Sequence, residues 1–156
     1  MKQDFLYSVE REYKASMDVV WNAWTDAAEL QEWYHPTDLL NVPNSSESDV
    51  KVGGRWSIAV DVPQYSMAAY FYGRYLAVEV HKHLEHTMCY TQDANEFAAK
   101  DDSAPHHTVK VDFETRGDLI WVRFSQFGEM PAEQIPQTKA GMESYFDSLQ
   151  AFLNNK

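Results

Sequence analysis

The side chains best suited to chemistry in this sequence are its histidines, its one cysteine and several tyrosines. His81, His83 and His86 lie close together in the chain, and two histidines at i and i+2 on one strand face can share a metal ion. Here, however, His81-Lys82-His83 falls in a tight connection between two strands, a place for solvated side chains. His106 and His107 do not complete a site. In an antiparallel meander they sit at the other end of the strand Leu84–Thr91, about 24 Å away at ~3.3 Å per residue. No metal site is expected. Cys89 stands alone, which excludes an intrachain disulfide and a cysteine-based zinc site. It points outward from its strand with no activating neighbour, and there is no serine nucleophile elbow. Gly53-Gly54 lacks the Lys-Ser/Thr of a P-loop and the spaced glycines of a dinucleotide site, so no cofactor is expected. Acid–base work remains open: His86 beside Tyr90 or Tyr145 in an enclosed pocket could move protons on a bound polyketide-like substrate. No residue is assigned a catalytic role on that basis.

Two elements must position that group. Leu84, His86, Met88 and Tyr90 alternate with Glu85, Thr87, Cys89 and Thr91, so one face of this strand turns inward with a histidine and a tyrosine. Tyr145 belongs to a C-terminal stretch, Pro131–Leu153, whose apolar residues Met142, Tyr145, Phe146, Leu149, Phe152 and Leu153 recur at spacings of three and four. Pro136 predicts a separately started first turn, with the long run beginning near it. Each large residue of that stripe contributes on the order of 1.5–3 kcal/mol when buried, so the helix needs a partner surface.

The rest of the chain reads as that surface. Phe5–Tyr13 alternates as a first strand, with Arg11 the exception on its apolar side. Ser16 caps a helix carrying Val20, Ala23, Trp24 and Ala27, and Asp26 with Glu29 forms a capping box for a second one carrying Leu30, Trp33 and Tyr34, which His35-Pro36 ends. Residues 37–49 read as a loop with room for a short edge strand. Strands follow from Gly53-Gly54 to Pro63 and from Ala68 to Val80, where Gly73 suggests a bend or bulge. After Leu84–Thr91 and a polar loop, Gln92–Pro105, Val109, Val111 and Phe113 alternate, Arg116-Gly117 turns, and Leu119–Ser125 is the last strand. Strands followed by a helix indicate α+β: a curved antiparallel sheet gripping the C-terminal helix, in one domain over residues 1–156.

Composition narrows the partners. With 24 acidic against 13 basic side chains the net charge is −11, which opposes nucleic acid and anionic lipid surfaces, both of which reward clustered Lys and Arg. The N-terminus lacks a signal pattern and no apolar run suffices for a membrane span; a cytoplasmic protein without membrane insertion is expected. A tryptophan left exposed, such as Trp121, would mark a homodimer face.

Val9-Glu10-Arg11-Glu12-Tyr13, Val20-Trp21-Asn22-Ala23-Trp24-Thr25-Asp26, Leu30 with Trp33-Tyr34, Val52-Gly53-Gly54-Arg55-Trp56 and the Met142–Leu153 helix together resemble the activator of heat-shock protein 90 ATPase homologues. That family lies within the SRPBCC superfamily of START domains and the birch-pollen allergen fold. The resemblance implies the helix-grip fold and a hydrophobic cavity between sheet and helix. It does not extend to Asp93–Pro105, and the eukaryotic namesakes act as co-chaperones through a further N-terminal domain for which this chain has no room. In such a fold the cavity would be lined from the sheet by Trp56, Ile58, Leu76, His86, Met88 and Tyr90. Phe113 and Phe124 continue that wall, and Met142, Tyr145 and Phe146 face it from the helix. Three functions fit: a binding protein for a small hydrophobic ligand, a cyclase- or hydrolase-type enzyme using His86 and a cavity tyrosine, and a protein–protein module for a chaperone or a second copy.

Overall fold

In the computed structural model, which describes residues 3–156, α4 (Ile135–Asn154) lies in the grip of a curled antiparallel sheet. The strands are β1 (Asp4–Tyr13), β2 (Leu40–Asn41), β3 (Glu47–Ser48), β4 (Arg55–Val62), β5 (Met67–Glu79), β6 (His83–Thr91), β7 (His107–Arg116) and β8 (Leu119–Gly128). They run in the order β1-β8-β7-β6-β5-β4-β2, with β3 also on β4. The five long strands β4–β8 therefore form a meander, and β1 closes onto β8 with Val9 opposite Phe124. This is the α+β helix-grip arrangement.

Local chemistry explains most boundaries. Ser16 accepts a hydrogen bond from Val19 N and starts α1 (Met17–Thr25), and Asp26 accepts from Ala28 N and starts α2 (Ala27–Trp33). The reciprocal half of the expected capping box is absent. Asp26 N already donates to the Asn22 carbonyl, and Glu29 pairs with Lys156 Nζ at 3.1 Å instead. A short 3₁₀ turn, Ala132–Gln134, precedes α4, which carries a proline in its first turn. Residues 37–49 yield two short edge strands, β2 and β3.

Packing then holds α4 by its C-terminal half. Phe146 and Leu149 are fully buried against a cluster containing Tyr13, Trp24, Trp33 and Phe124. Tyr13 Oη donates to the Phe146 carbonyl at 3.2 Å, and Ser148 Oγ to the His35 carbonyl at 2.7 Å. Arg11, out of place on an apolar strand face, reaches Asp147 at 2.6 Å and Glu143 at 3.0 Å on the helix flank.

Four expectations need correction. Gly73 marks a close approach rather than the bulge: a Cβ there would lie 2.0 Å from the Thr87 carbonyl oxygen. The bulge falls at Leu76, since Tyr75 pairs with His86 but Ala77 with Glu85. That extra residue turns Leu76 outward, where it is 46% exposed, so it lines no cavity. The segment after β6 is more than a polar loop. It carries α3 (Ala94–Ala99), which lays Phe97 against Tyr70 and Tyr72 on the convex face of the sheet, while Arg55 and Arg74 both bind Asp102 at 3.1 Å. Cys89 faces outward yet is buried beneath this cover. Trp121 offers no exposed face either: the Arg116 and Arg123 guanidinium groups lie 4.3 and 5.1 Å from its ring.

Candidate functional site

The N-terminal half of α4 stands off from the sheet, and a cavity of about 1040 Å³ occupies the space between them. Thr138, Gly141, Met142 and Tyr145 of α4 form one wall. Phe71, Met88 and Tyr90 of β5 and β6 form the opposite one. Tyr7, His107, Gln126 and Gly128 close the side contributed by β1, β7 and β8, Tyr34 lies at the α2 end, and Ser103–His106 and Glu129–Pro131 form the rim. Strand alternation turns Phe71, Met88 and Gln126 inward. Helical spacing brings Thr138, Gly141, Met142 and Tyr145 to a single stripe. Gly141 contributes to the opening, because a Cβ there would meet no atom within 4 Å.

The polar groups inside form two sets. In the first, Tyr7 Oη donates to Gln126 Oε1 at 2.6 Å, Gln126 Nε2 donates to His107 Nδ1 at 2.7 Å, and His107 Nε2–H donates to the Glu129 carbonyl at 3.0 Å. Every member is satisfied, and the chain of bonds fixes His107 as the Nε2–H tautomer. Gly128 makes this possible, since a Cβ at that position would lie 2.4 Å from the His107 ring. The second set is Tyr34 and Tyr145, whose rings meet edge to face at 5.0 Å. Burial pushes both phenols well above the ordinary tyrosine range, and among the described residues no hydrogen bond ties either hydroxyl to the protein. No lysine or arginine is among the described lining residues, whereas Asp4 and Glu129 sit at the rim.

Of the residues expected to line a cavity, Met88, Tyr90, Met142 and Tyr145 do so. Trp56, Ile58, His86, Phe113, Phe124 and Phe146 instead fill the packed core. His86 stacks on Trp56 at 4.2 Å and donates from Nδ1 to the Thr87 carbonyl at 2.7 Å. Burial lowers its pKa to about 4. It is thus a neutral ring wedged between Trp56 and Tyr75 and not among the residues lining the void, and the pairing of His86 with a cavity tyrosine does not occur. His83 contacts Asp112 at 2.7 Å and Glu85 at 3.3 Å, and His81 contacts Asp18 at 2.9 Å, all as polar contacts between side chains. Among the described residues no three His, Cys, Asp or Glu side chains group as metal donors.

Sequence reasoning missed Tyr7, Tyr34, Phe71, His107 and Gln126. Signals existed for three of them. Tyr7 alternates with Val9, and Gln126 continues the inward phase of Val122 and Phe124 one step beyond the expected end of β8. Phe71 lies in a strand apolar on both faces because α3 covers the outer one, so its direction was not readable. Tyr34 looked like one more core aromatic, and His107 is the first residue of β7, on the inward phase of Val109, Val111 and Phe113 but one step before the expected start of that strand.

The model of the family described as "Activator of Hsp90 ATPase homolog 1-like protein" matches residues 14–154. Among solved structures, the AHSA1 protein of Silicibacter pomeroyi superposes with a TM-score of 0.78 at 18% identity, over 95% of this chain and 96% of that one. A Staphylococcus epidermidis protein gives 0.77 at 22% identity, over 99% and 92%. DynU16, a protein of the dynemicin biosynthetic locus, gives 0.70 at 18% identity over 98% of this chain and 48% of its own. No curated protein matches. At these identities the structures speak for the fold, while the family match spans nearly the whole sequence: the chain belongs to the activator of Hsp90 ATPase homolog 1-like family.

Proposed function

We propose that this protein binds a small hydrophobic ligand, lipid- or polyketide-like in size, between the sheet and the N-terminal half of α4. The observation that carries the reading is the void itself. Folded interiors leave few spaces larger than a water molecule, yet here about 1040 Å³ lies open beside a tightly packed aromatic core, a volume at the upper end of typical ligand sites. Its walls present mostly apolar surface and include Met88, Met130 and Met142, and methionine adapts to guests of varied outline. A neighbour of this fold from a biosynthetic locus, DynU16 of the dynemicin locus, is in keeping with such a guest. We take the working compartment to be the cytoplasm, consistent with one unpaired cysteine.

Native mass spectrometry of protein purified from its own host, followed by denaturing extraction, tests this reading. A stoichiometric apolar molecule is the expected result, and Gly141→Trp, which projects a ring into the open space beside that glycine, should lose it. A protein that arrives empty and takes up no fatty acid, sterol or aromatic polyketide from a panel would sink the proposal.

A further inference from the structure

We propose that the guest is uncharged and carries a carbonyl oxygen at its buried end, hydrogen-bonded by the hydroxyls of Tyr34 and Tyr145, and that the cavity rejects the corresponding carboxylate. This rests on the ligand-binding reading above and gives it a chemical class. Three observations support it.

The first is the bonding state of the polar groups. Tyr7, Gln126 and His107 spend their hydrogen bonds on one another and on the Glu129 carbonyl, so they make no demand on a guest. Tyr34, only 3% exposed, and Tyr145 line the same cavity with no hydrogen-bond partner for either hydroxyl among the described residues. Their oxygens touch the open cavity, so a guest that displaces water from them without offering an acceptor would leave costly unpaired hydroxyls, a cost that an acceptor on the ligand removes. The second is that both phenols are held protonated by burial, so they present donors throughout the physiological range. The third is the absence of a counter-ion. No lysine or arginine is among the described residues of the wall, both ring nitrogens of His107 are already engaged, and the rim carries Asp4 and Glu129 on a chain of net charge −11. A carboxylate entering this space would leave water without a cation to meet it.

Three probes that share one ring system separate these contributions: 1-acetylpyrene, 1-ethylpyrene and pyrene-1-carboxylate, each titrated at pH 8 and followed by quenching of tryptophan emission. The ketone should bind about tenfold more tightly than the ethyl compound, and the carboxylate roughly a hundredfold more weakly than the ketone. Tyr145→Phe and Tyr34→Phe keep the rings and should bring the ketone down toward the ethyl compound while leaving the latter unchanged. Equal binding of ketone and ethyl compound, or a carboxylate as tight as the ketone, would overturn the inference and leave hydrophobic binding intact. The wild-type comparison decides this even if a variant folds poorly. Failure of all three probes would overturn the cavity reading and this inference with it.

Discussion

His86 shows how one buried residue sets the acid response of the protein. Stacked on Trp56 and shut off from water, it takes up a proton only near pH 4, whereas the same side chain in the unfolded chain does so near its ordinary 6.5. The unfolded state therefore binds more protons as the pH falls between those values, and the stability contributed by the neutral ring is full above 6.5 and is lost as the pH drops through the window toward 4. The slope from this group approaches about 1.4 kcal/mol per pH unit. His86→Asn keeps a donor near the Thr87 carbonyl but cannot titrate. Urea unfolding at pH 4.5, 5.5 and 6.5 should show a shallower acid loss in the variant, and equal slopes would refute the assignment.

Among the elements, α4 does two jobs with two halves. Its C-terminal turns pack, and its N-terminal turns form a wall. Gly141 sits in the second half with open space beside it, so Gly141→Ala should raise stability by about 0.5–1 kcal/mol through helix propensity alone, readable in a denaturant midpoint. The opposite holds in β5. Gly73 lies where any Cβ would collide with the Thr87 backbone of β6, and Gly73→Ala should cost about 1–3 kcal/mol by forcing the two strands apart. A neutral result there would mean that β5 and β6 separate more readily than their shared register suggests.

For the molecule as a whole, the sheet is covered on both faces, with α1, α2 and α4 inside the curl and α3 outside it. Cys89 reports on the outer cover: it is 4% exposed and burial raises its thiol pKa. Native protein should resist thiol labelling, and Phe97→Ala, which removes the ring resting on Tyr70 and Tyr72, should speed it severalfold; unchanged kinetics would show that α3 opens independently of that contact. The inner cavity responds to mass action. A guest present at a hundred times its Kd stabilises the folded state by about 2.7 kcal/mol, and a thermal melt should rise by several degrees with the ketone probe and by much less with the carboxylate.

The sequence by itself determined the order of elements apart from α3 and the second short edge strand, the helix starts at Ser16 and Asp26, the inward faces of β1, β4, β6 and β7, and the stripe that makes α4 a partner for the sheet. All of these are local: a capping oxygen, a period of two, a period of 3.6. It also determined that His81 and His83 lie at a hairpin far from His107, because strand length is set by residue count. Only the tertiary structure decided which inward residues pack and which face the void. Periodicity tells which way a side chain points but not how far away the opposite wall stands, so His86 and Phe146 read the same as Met88 and Tyr145 until α4 was seen to tilt away from the sheet. The direction of Leu76 depended on a one-residue bulge whose cause is pairing between strands. The joining of Tyr7, Gln126 and His107 required three strands to meet side by side, and the meeting of Tyr34 with Tyr145 required α2 to lie across α4. Contacts of that kind between distant parts of the chain leave no spacing for a sequence to display.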